Sequence, residues 1–170
     1  MNKFTNIVGI DHVSAREDGA LRVAPASTEE TSAVLRLCDE QKLVVSACGG
    51  ATKPWGNAVA AQVLLDTTRM AGVREHVWQD MMCTVAAGTR WADMQSALAL
   101  HGQHVALDPG FASAATVGGV LATNDSGALR LKYGSLRDFV VGVTVVLADG
   151  TVARSGGKVV KNVAGYDLPK

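Results

Sequence analysis

The architecture of this chain is set by Leu43-Val44-Val45-Ser46-Ala47-Cys48-Gly49-Gly50-Ala51-Thr52-Lys53-Pro54-Trp55-Gly56. Leu43 to Ala47 is short, apolar and β-branched, the composition of a buried strand. Gly49 and Gly50 end it, because adjacent glycines let the backbone turn where a Cβ would block it. Gln62-Val63-Leu64-Leu65-Asp66 reads as the next strand. Upstream, Arg22 to Ala26 is a strand and Ser27 opens a helix. The Ser27 hydroxyl can accept from the N–H three residues on, and Glu30 can reach back, a capping box. Val34, Leu37, Cys38 and Gln41 follow at helical spacing and give one apolar face. Strand, helix, strand, loop and strand make a small βαβ-type lobe over residues 22–70. Residues 1–21 are polar and without period, and read as a loosely ordered lead-in.

A second lobe is expected over residues 71–170. Val77 to Trp78 and Thr84 to Ala87 read as strands. Thr89 is placed to cap a helix carrying Trp91, Met94, Ala97 and Leu98, with Gly102 as its terminator. A Gly/Ala/Ser-rich stretch over 105–137 surrounds a short helix at about 116–122. Phe139 to Leu147 reads as the strongest strand of the chain. Asp149-Gly150 is a two-residue hairpin signal, and Thr151 to Ser155 returns. The fold class is α+β, a small βαβ lobe followed by a larger mixed-sheet lobe. The sequence stops after Asp167-Leu168-Pro169-Lys170 with no terminator, which reads as a truncated second lobe.

Composition narrows the function classes. The chain has 170 residues, 48% hydrophobic, enough to bury one real core. Lys and Arg number 16 and Asp and Glu 16, so no cationic excess suits a nucleic-acid backbone. The longest uncharged apolar run, Phe139 to Ala148, is far short of a membrane span of about 20 residues. The N-terminus lacks the apolar run of a secretory signal. Three cysteines, Cys38, Cys48 and Cys83, have no CxxC spacing and suit neither a disulfide framework nor a zinc ribbon. The expectation is a cytoplasmic protein.

Two segments carry chemistry. Around Gly49-Gly50-Ala51-Thr52-Lys53, successive N–H groups can form an anion-binding nest. Thr52 adds a hydroxyl and Lys53 a positive charge, so the set suits a diphosphate. The same residues also suit an ordinary Gly-rich turn. The second segment is Asp108-Pro109-Gly110 with Ala115-Thr116-Val117-Gly118-Gly119-Val120-Leu121-Ala122-Thr123-Asn124-Asp125-Ser126-Gly127. Its glycine pair opens a short helix, whose first N–H groups favour phosphate. Gly118 and Gly119 equally suit close packing against a neighbour, and both roles can hold at once. Two such segments in one small domain point to a large dinucleotide.

Competing motifs fail. No G-x-G-x-x-G follows a strand. Gly156-Gly157-Lys158 continues into Val159 where a P-loop needs Ser or Thr. Ser126 and Ser155 lack the frame of a nucleophile elbow. His101 and His104 have no acidic or cysteine partner at ligand spacing, so no metal site is expected. Cys48 reads as a small buried residue, and Trp55 and Trp91 as packing residues.

Taken together the segments resemble the FAD-binding domain of the vanillyl-alcohol-oxidase type, the PCMH-type domain, over about Arg22 to Leu168. The resemblance rests on Gly49 to Lys53 with Trp55-Gly56, Ala115 to Gly119, and Ala122 to Gly127. It continues through Tyr133-Gly134-Ser135-Leu136-Arg137-Asp138-Phe139-Val140-Val141-Gly142, Ala148-Asp149-Gly150 and Gly156 to Leu168. Within the family it is most similar to the FAD-binding subunits of bacterial glycolate oxidases. The resemblance implies FAD between two lobes. Gly49, Gly50, Ala51, Thr52 and Lys53 would hold the pyrophosphate, and Thr116, Gly118 and Gly119 would hold it from the opposite lobe. Pro109, Asn124, Ser126 and Gly127 would line the ribityl and flavin side.

It further implies oxidation of a small 2-hydroxy acid such as glycolate, with hydride passing to flavin N5. Electrons would then pass to another acceptor or oxidoreductase subunit, an iron–sulfur subunit among them, with peripheral attachment to the inner membrane through such partners. The substrate-binding Arg, Tyr and His of the family come from a part absent here, so no catalytic residue is named. A fragment of this kind is expected to be inactive alone, and a non-catalytic FAD-binding assembly or relay subunit is the alternative. A nucleotide-sugar reductase of the same fold is a third reading. Some family members attach FAD through His or Cys in the first glycine loop. With no His there and Cys48 the sole candidate, non-covalent FAD is expected.

Overall fold

A computed structural model of the chain describes residues 3–53 and 60–157. The sequence readings at Pro54, Trp55 and Gly56, and over 158–168, lie outside the described residues. The described elements begin with α1 (Thr5–Val8), β1 (Val13–Ala15), β2 (Leu21–Val23), α2 (Thr28–Glu40), β3 (Val45–Cys48) and β4 (Val63–Asp66). They continue with β5 (Val73–Val77), β6 (Met82–Val85), α3 (Trp91–Ala99), α4 (Val117–Thr123), α5 (Arg130–Tyr133), α6 (Leu136–Phe139), β7 (Gly142–Val146) and β8 (Val152–Gly156). None of the described helices is long and apolar enough to cross a membrane.

The first four strands form one sheet in the order β1-β2-β4-β3. β1 runs antiparallel to β2, with Val13 opposite Val23. β2 and β3 both run parallel to β4, with Leu21 and Val45 each opposite Val63. β4 therefore inserts between the two strands that α2 connects. Ser27 caps α2 by accepting from Glu30 N–H at 3.1 Å. The Glu30 carboxylate reaches one residue further back than a standard box and accepts from Ala26 N–H at 2.8 Å. Val34, Leu35, Leu37 and Cys38 on α2 bury against Val23, Val63 and Leu65 of the sheet. Each such aliphatic side chain contributes about 1.5–3 kcal/mol by leaving water.

The first residues differ from the expected loose lead-in. Phe4 and Val8 are buried in the same core, and β1 completes the sheet edge beside β2. Phe4, Ile7 and Val8 occur on a single short turn, too brief for a periodic signal. Their burial becomes visible only once α2 and the sheet offer a surface.

The second half is built around another core, with Trp91, Met94, Leu98, Leu107, Val117, Val120 and Leu136 buried. β5 and β6 pair as one antiparallel hairpin, β7 and β8 as another. Three local readings shift. Residue 90, not Thr89, occupies the cap position of α3. The buried Thr89 hydroxyl instead donates to Ala86 C=O at 2.7 Å and accepts from Gly72 N–H at 2.8 Å, stapling two loops. Phe139 belongs to α6, because Ser135 and Asp138 form a capping box that starts a helical turn there. The strand therefore begins only at Gly142. Finally, Leu147 N–H donates to Thr151 C=O and Gly150 N–H to Leu147 C=O, which leaves a three-residue loop rather than two. Asp149 stabilises it by accepting from Thr151 N–H at 2.8 Å.

The β7–β8 hairpin ties the two cores together. Val140, just before β7, packs on the second core, while Val146 at its end packs on the first. The loop tip rests on α2, where the Ser32 hydroxyl donates to Gly150 C=O. Gly150 has φ +83°, and a Cβ there would lie 2.6 Å from Ser32 O and 2.9 Å from Arg36 Cβ.

Candidate functional site

β3 and β4 are parallel neighbours, so the chain must run back along the sheet between them. The glycine bend starts that return, at the carboxyl end of the parallel strands, where open α/β sheets place their ligands. Gly49 and Gly50 follow Cys48 directly, and Ala51 takes a left-handed backbone with φ +52°. The Ala51 N–H faces the Cys48 sulfur. Among the described residues, the N–H groups of Gly49, Gly50 and Thr52 meet no protein acceptor.

The second segment meets this bend face to face. A Cβ on Gly49 would overlap Thr116 Oγ1, and one on Gly50 would overlap Ala114 C=O. The two glycines are what let the segments approach. Thr116 is fully buried and caps α4, accepting from Gly119 N–H at 3.3 Å. Val117 N–H donates to Thr89 C=O at 2.8 Å and Gly118 N–H to Ala87 C=O at 2.7 Å. A Cβ on Gly118 would sit 2.9 Å from Ala87 Cβ. The start of α4 is thus anchored by its own amides, and Gly118 serves close packing. The two bends divide the work: the first keeps amides available, and the second supplies the surface it leans on.

After α4 the chain leaves through Asn124, in the left-handed region with φ +49°. Asn124 is exposed. Ser126 is buried, and its hydroxyl accepts from Leu136 N–H at 3.1 Å. Gly127 has φ +64° and lies against Asp108, whose carboxylate also accepts from Leu129 N–H at 2.9 Å. Pro109 is buried beside it. Lys53 of the first bend forms an ion pair with Asp125, which also accepts from Gly110 N–H at 2.9 Å. Lys53, Thr123, Asn124, Asp125, Ser126 and Arg130 are among the residues lining a cleft of about 440 Å³.

The structure therefore brings Gly49 against Thr116 and Gly50 against Ala114, and Lys53 beside Asn124, Ser126 and Gly127 along one cleft. Gly118 turns away toward Ala87. Asp125 and Arg130 were not among the sequence candidates. Asp125 lies within the second glycine-dense segment, but a carboxylate carries no sign of anion binding. Arg130 follows the segment on a four-residue helix and carries no motif.

The remaining electrostatics are those of a supporting frame. Asp66, at the end of β4 beside Cys48, accepts from Arg22 Nε at 2.6 Å, and from Thr68 N–H at 2.8 Å and its hydroxyl at 2.6 Å. Burial pushes the Asp66 carboxyl up, but Thr68 and Arg22 together hold it below the usual carboxylate value. The Cys48 thiol is pushed up by burial and by Asp66, against the Ala51 N–H. Burial raises Cys38 to about 11. No group of three or more metal-ligating side chains occurs among the described residues.

Residues 20–156 match the family described as FAD binding domain. The chain is 37% identical over 150 residues to the mitochondrial cytochrome D-lactate dehydrogenase of Arabidopsis thaliana, across 87% of this chain and 26% of that protein. It is 35% identical over 150 residues to the glycolate oxidase subunit GlcD of Bacillus subtilis, across 87% of this chain and 32% of that protein. Among solved structures, an alkyldihydroxyacetonephosphate synthase superposes with a TM-score of 0.75 at 25% identity, covering 88% of this chain and 27% of that one. The chain spans about a quarter to a third of the length of these relatives.

The residues present fit the diphosphate of such a cofactor. Available backbone amides at Gly49, Gly50 and Thr52, with the Lys53 ammonium, form the donor set that phosphate oxygens need.

Proposed function

Because this chain belongs to the FAD-binding domain family of the PCMH type, we propose that it forms the FAD-binding part of an oxidoreductase acting on a small 2-hydroxy acid. One observation carries the reading: the amide-bearing bend is held against Thr116 at Gly49 and reaches, through Lys53, the cleft that Asn124 to Gly127 line. Gly49, Gly50 and Thr52 would donate backbone N–H groups to the pyrophosphate, and Lys53 would offset its charge. Thr116 would keep the bend in place. Asn124 and Arg130, which line the same cleft as Lys53, would face the rest of the nucleotide. When bound, FAD supplies the hydride acceptor for oxidation at the α-carbon of the substrate.

The substrate class rests on the relatives, whose names include D-lactate and glycolate enzymes, and glycolate or lactate is the proposed substrate. The relative from Bacillus subtilis is named as a subunit, which supports a partner subunit that passes electrons onward. We assign non-covalent attachment to FAD. Residues 45–53 contain no His, and the Cys48 thiol is pushed away from its nucleophilic form. Free thiols at Cys38, Cys48 and Cys83 suit a reducing, cytoplasmic setting.

The test is direct. The purified chain is mixed with FAD, desalted and scanned for flavin absorbance. Retention of FAD at near one per chain, released intact by acid, is the expected result. A colourless protein with no FAD affinity below the millimolar range would overturn the reading. Dye-coupled turnover of glycolate and lactate, alone and with candidate partner subunits, then tests the substrate class.

A further inference from the structure

Asp125 is a carboxylate inside a cleft otherwise suited to anions. Its Oδ2 accepts from the Lys53 ammonium and from Gly110 N–H. The Lys53 and Asp125 side chains are only 16% and 18% exposed. They lie 72 positions apart in sequence, and both line the cleft. An ammonium and a backbone N–H converging on one oxygen are the donors a phosphate oxygen takes. A carboxylate holding them stands where it repels a diphosphate and engages the bend's positive charge at once.

Resting on the FAD-binding reading, we propose that Asp125 is a resident anion that competes with the incoming diphosphate for Lys53. Binding is then an exchange. The Lys53 ammonium passes from the Asp125 carboxylate to a phosphate oxygen, and Asp125 keeps its bond from Gly110 N–H. The carboxylate lowers affinity for any anion that touches Lys53 alone. A ligand succeeds only when it also gathers the amides of Gly49, Gly50 and Thr52. Asp125 is in this sense a selectivity residue, weighted against single phosphates and toward a diphosphate that spans the bend.

Calorimetric titration with ADP, which carries the diphosphate without the flavin, tests this. Asp125→Asn keeps the side-chain shape and removes the charge. It is expected to bind ADP about fivefold to tenfold tighter than the wild type, the scale of removing one like charge from a partly screened site. Adenosine, which carries no charge, is expected to bind both proteins alike. Equal or weaker ADP binding by folded Asp125→Asn overturns the proposal. Should that variant fail to fold, the wild type still decides. In lysine-labelled protein, the Lys53 side-chain resonance, assigned through Lys53→Arg, must move as ADP saturates, and an unmoved resonance overturns the exchange. Wild-type protein that binds neither ADP nor FAD removes the functional reading itself, an outcome separate from an unchanged Asp125→Asn.

Discussion

Gly49 and Thr116 touch across the junction of the two glycine-dense segments, so closely that a Cβ on Gly49 would overlap the Thr116 hydroxyl. Thr116 is fully buried and cannot yield outward. Gly49→Ala is therefore expected to cost about 1–3 kcal/mol, the range of overpacking in a filled interior. Gly50→Ala is expected to cost more, because its obstacle is the Ala114 backbone carbonyl rather than a side chain. Urea unfolding midpoints measure both. FAD affinity should fall with each, since the bend is pushed off its support.

Gly102 and Gly127 separate two effects that usually travel together. Both have positive φ, +67° and +64°. Nothing lies within 4 Å of a Cβ on Gly102, whereas one on Gly127 would overlap the Asp108 carboxylate and carbonyl. Gly102→Ala should cost only the left-handed backbone penalty, about 1–2 kcal/mol. Gly127→Ala should lose clearly more in the same unfolding assay and also weaken FAD retention, because Asp108 orders the chain at Leu129 beside the cleft.

Asp66 makes acid stability testable. Burial alone would raise its carboxyl, but the Thr68 hydroxyl and N–H and the Arg22 guanidinium hold it below the usual value. A carboxyl depressed in the folded state contributes stability that is fully present above its unfolded pKa, about 3.9. That contribution is lost as pH falls through the lower folded value. Wild-type urea midpoints should thus drop more steeply below about pH 4 than those of Asp66→Asn. Parallel acid limbs for the two proteins would refute the assignment.

The three thiols should react slowly. Burial raises all three, Cys38 to about 11. With a disulfide reagent at pH 8, Cys38 is expected to be the slowest, reacting only on unfolding. Cys48, half-buried beside the first bend, should react faster and be shielded when FAD is bound.

Much of the first lobe was legible because its signals are local. Ser27 and Glu30 mark the start of α2 within four residues, and Val34, Leu37 and Cys38 mark its buried face. Gly49-Gly50 marks the bend for the same reason. What stayed hidden depends on distant partners. Phe4 and Val8 become core residues only when α2 arrives. Phe139 has strand composition, yet Ser135 and Asp138 commit it to a helical turn. At the site, Gly118 suits both anion binding and close packing in sequence, and only its partner decides between them: Ala87 C=O takes its N–H. Asp125 carried no signal of its own, because its meaning comes from Lys53, 72 positions earlier.

Ser32 and Gly150 meet where the tip of the β7–β8 hairpin rests on α2. The hairpin begins on one core and props its tip against the helix of the other. It works as a strut between the two cores. Enlarging Gly150 is expected to lift that strut off α2 and to loosen the joint between the two cores, with every core side chain unchanged.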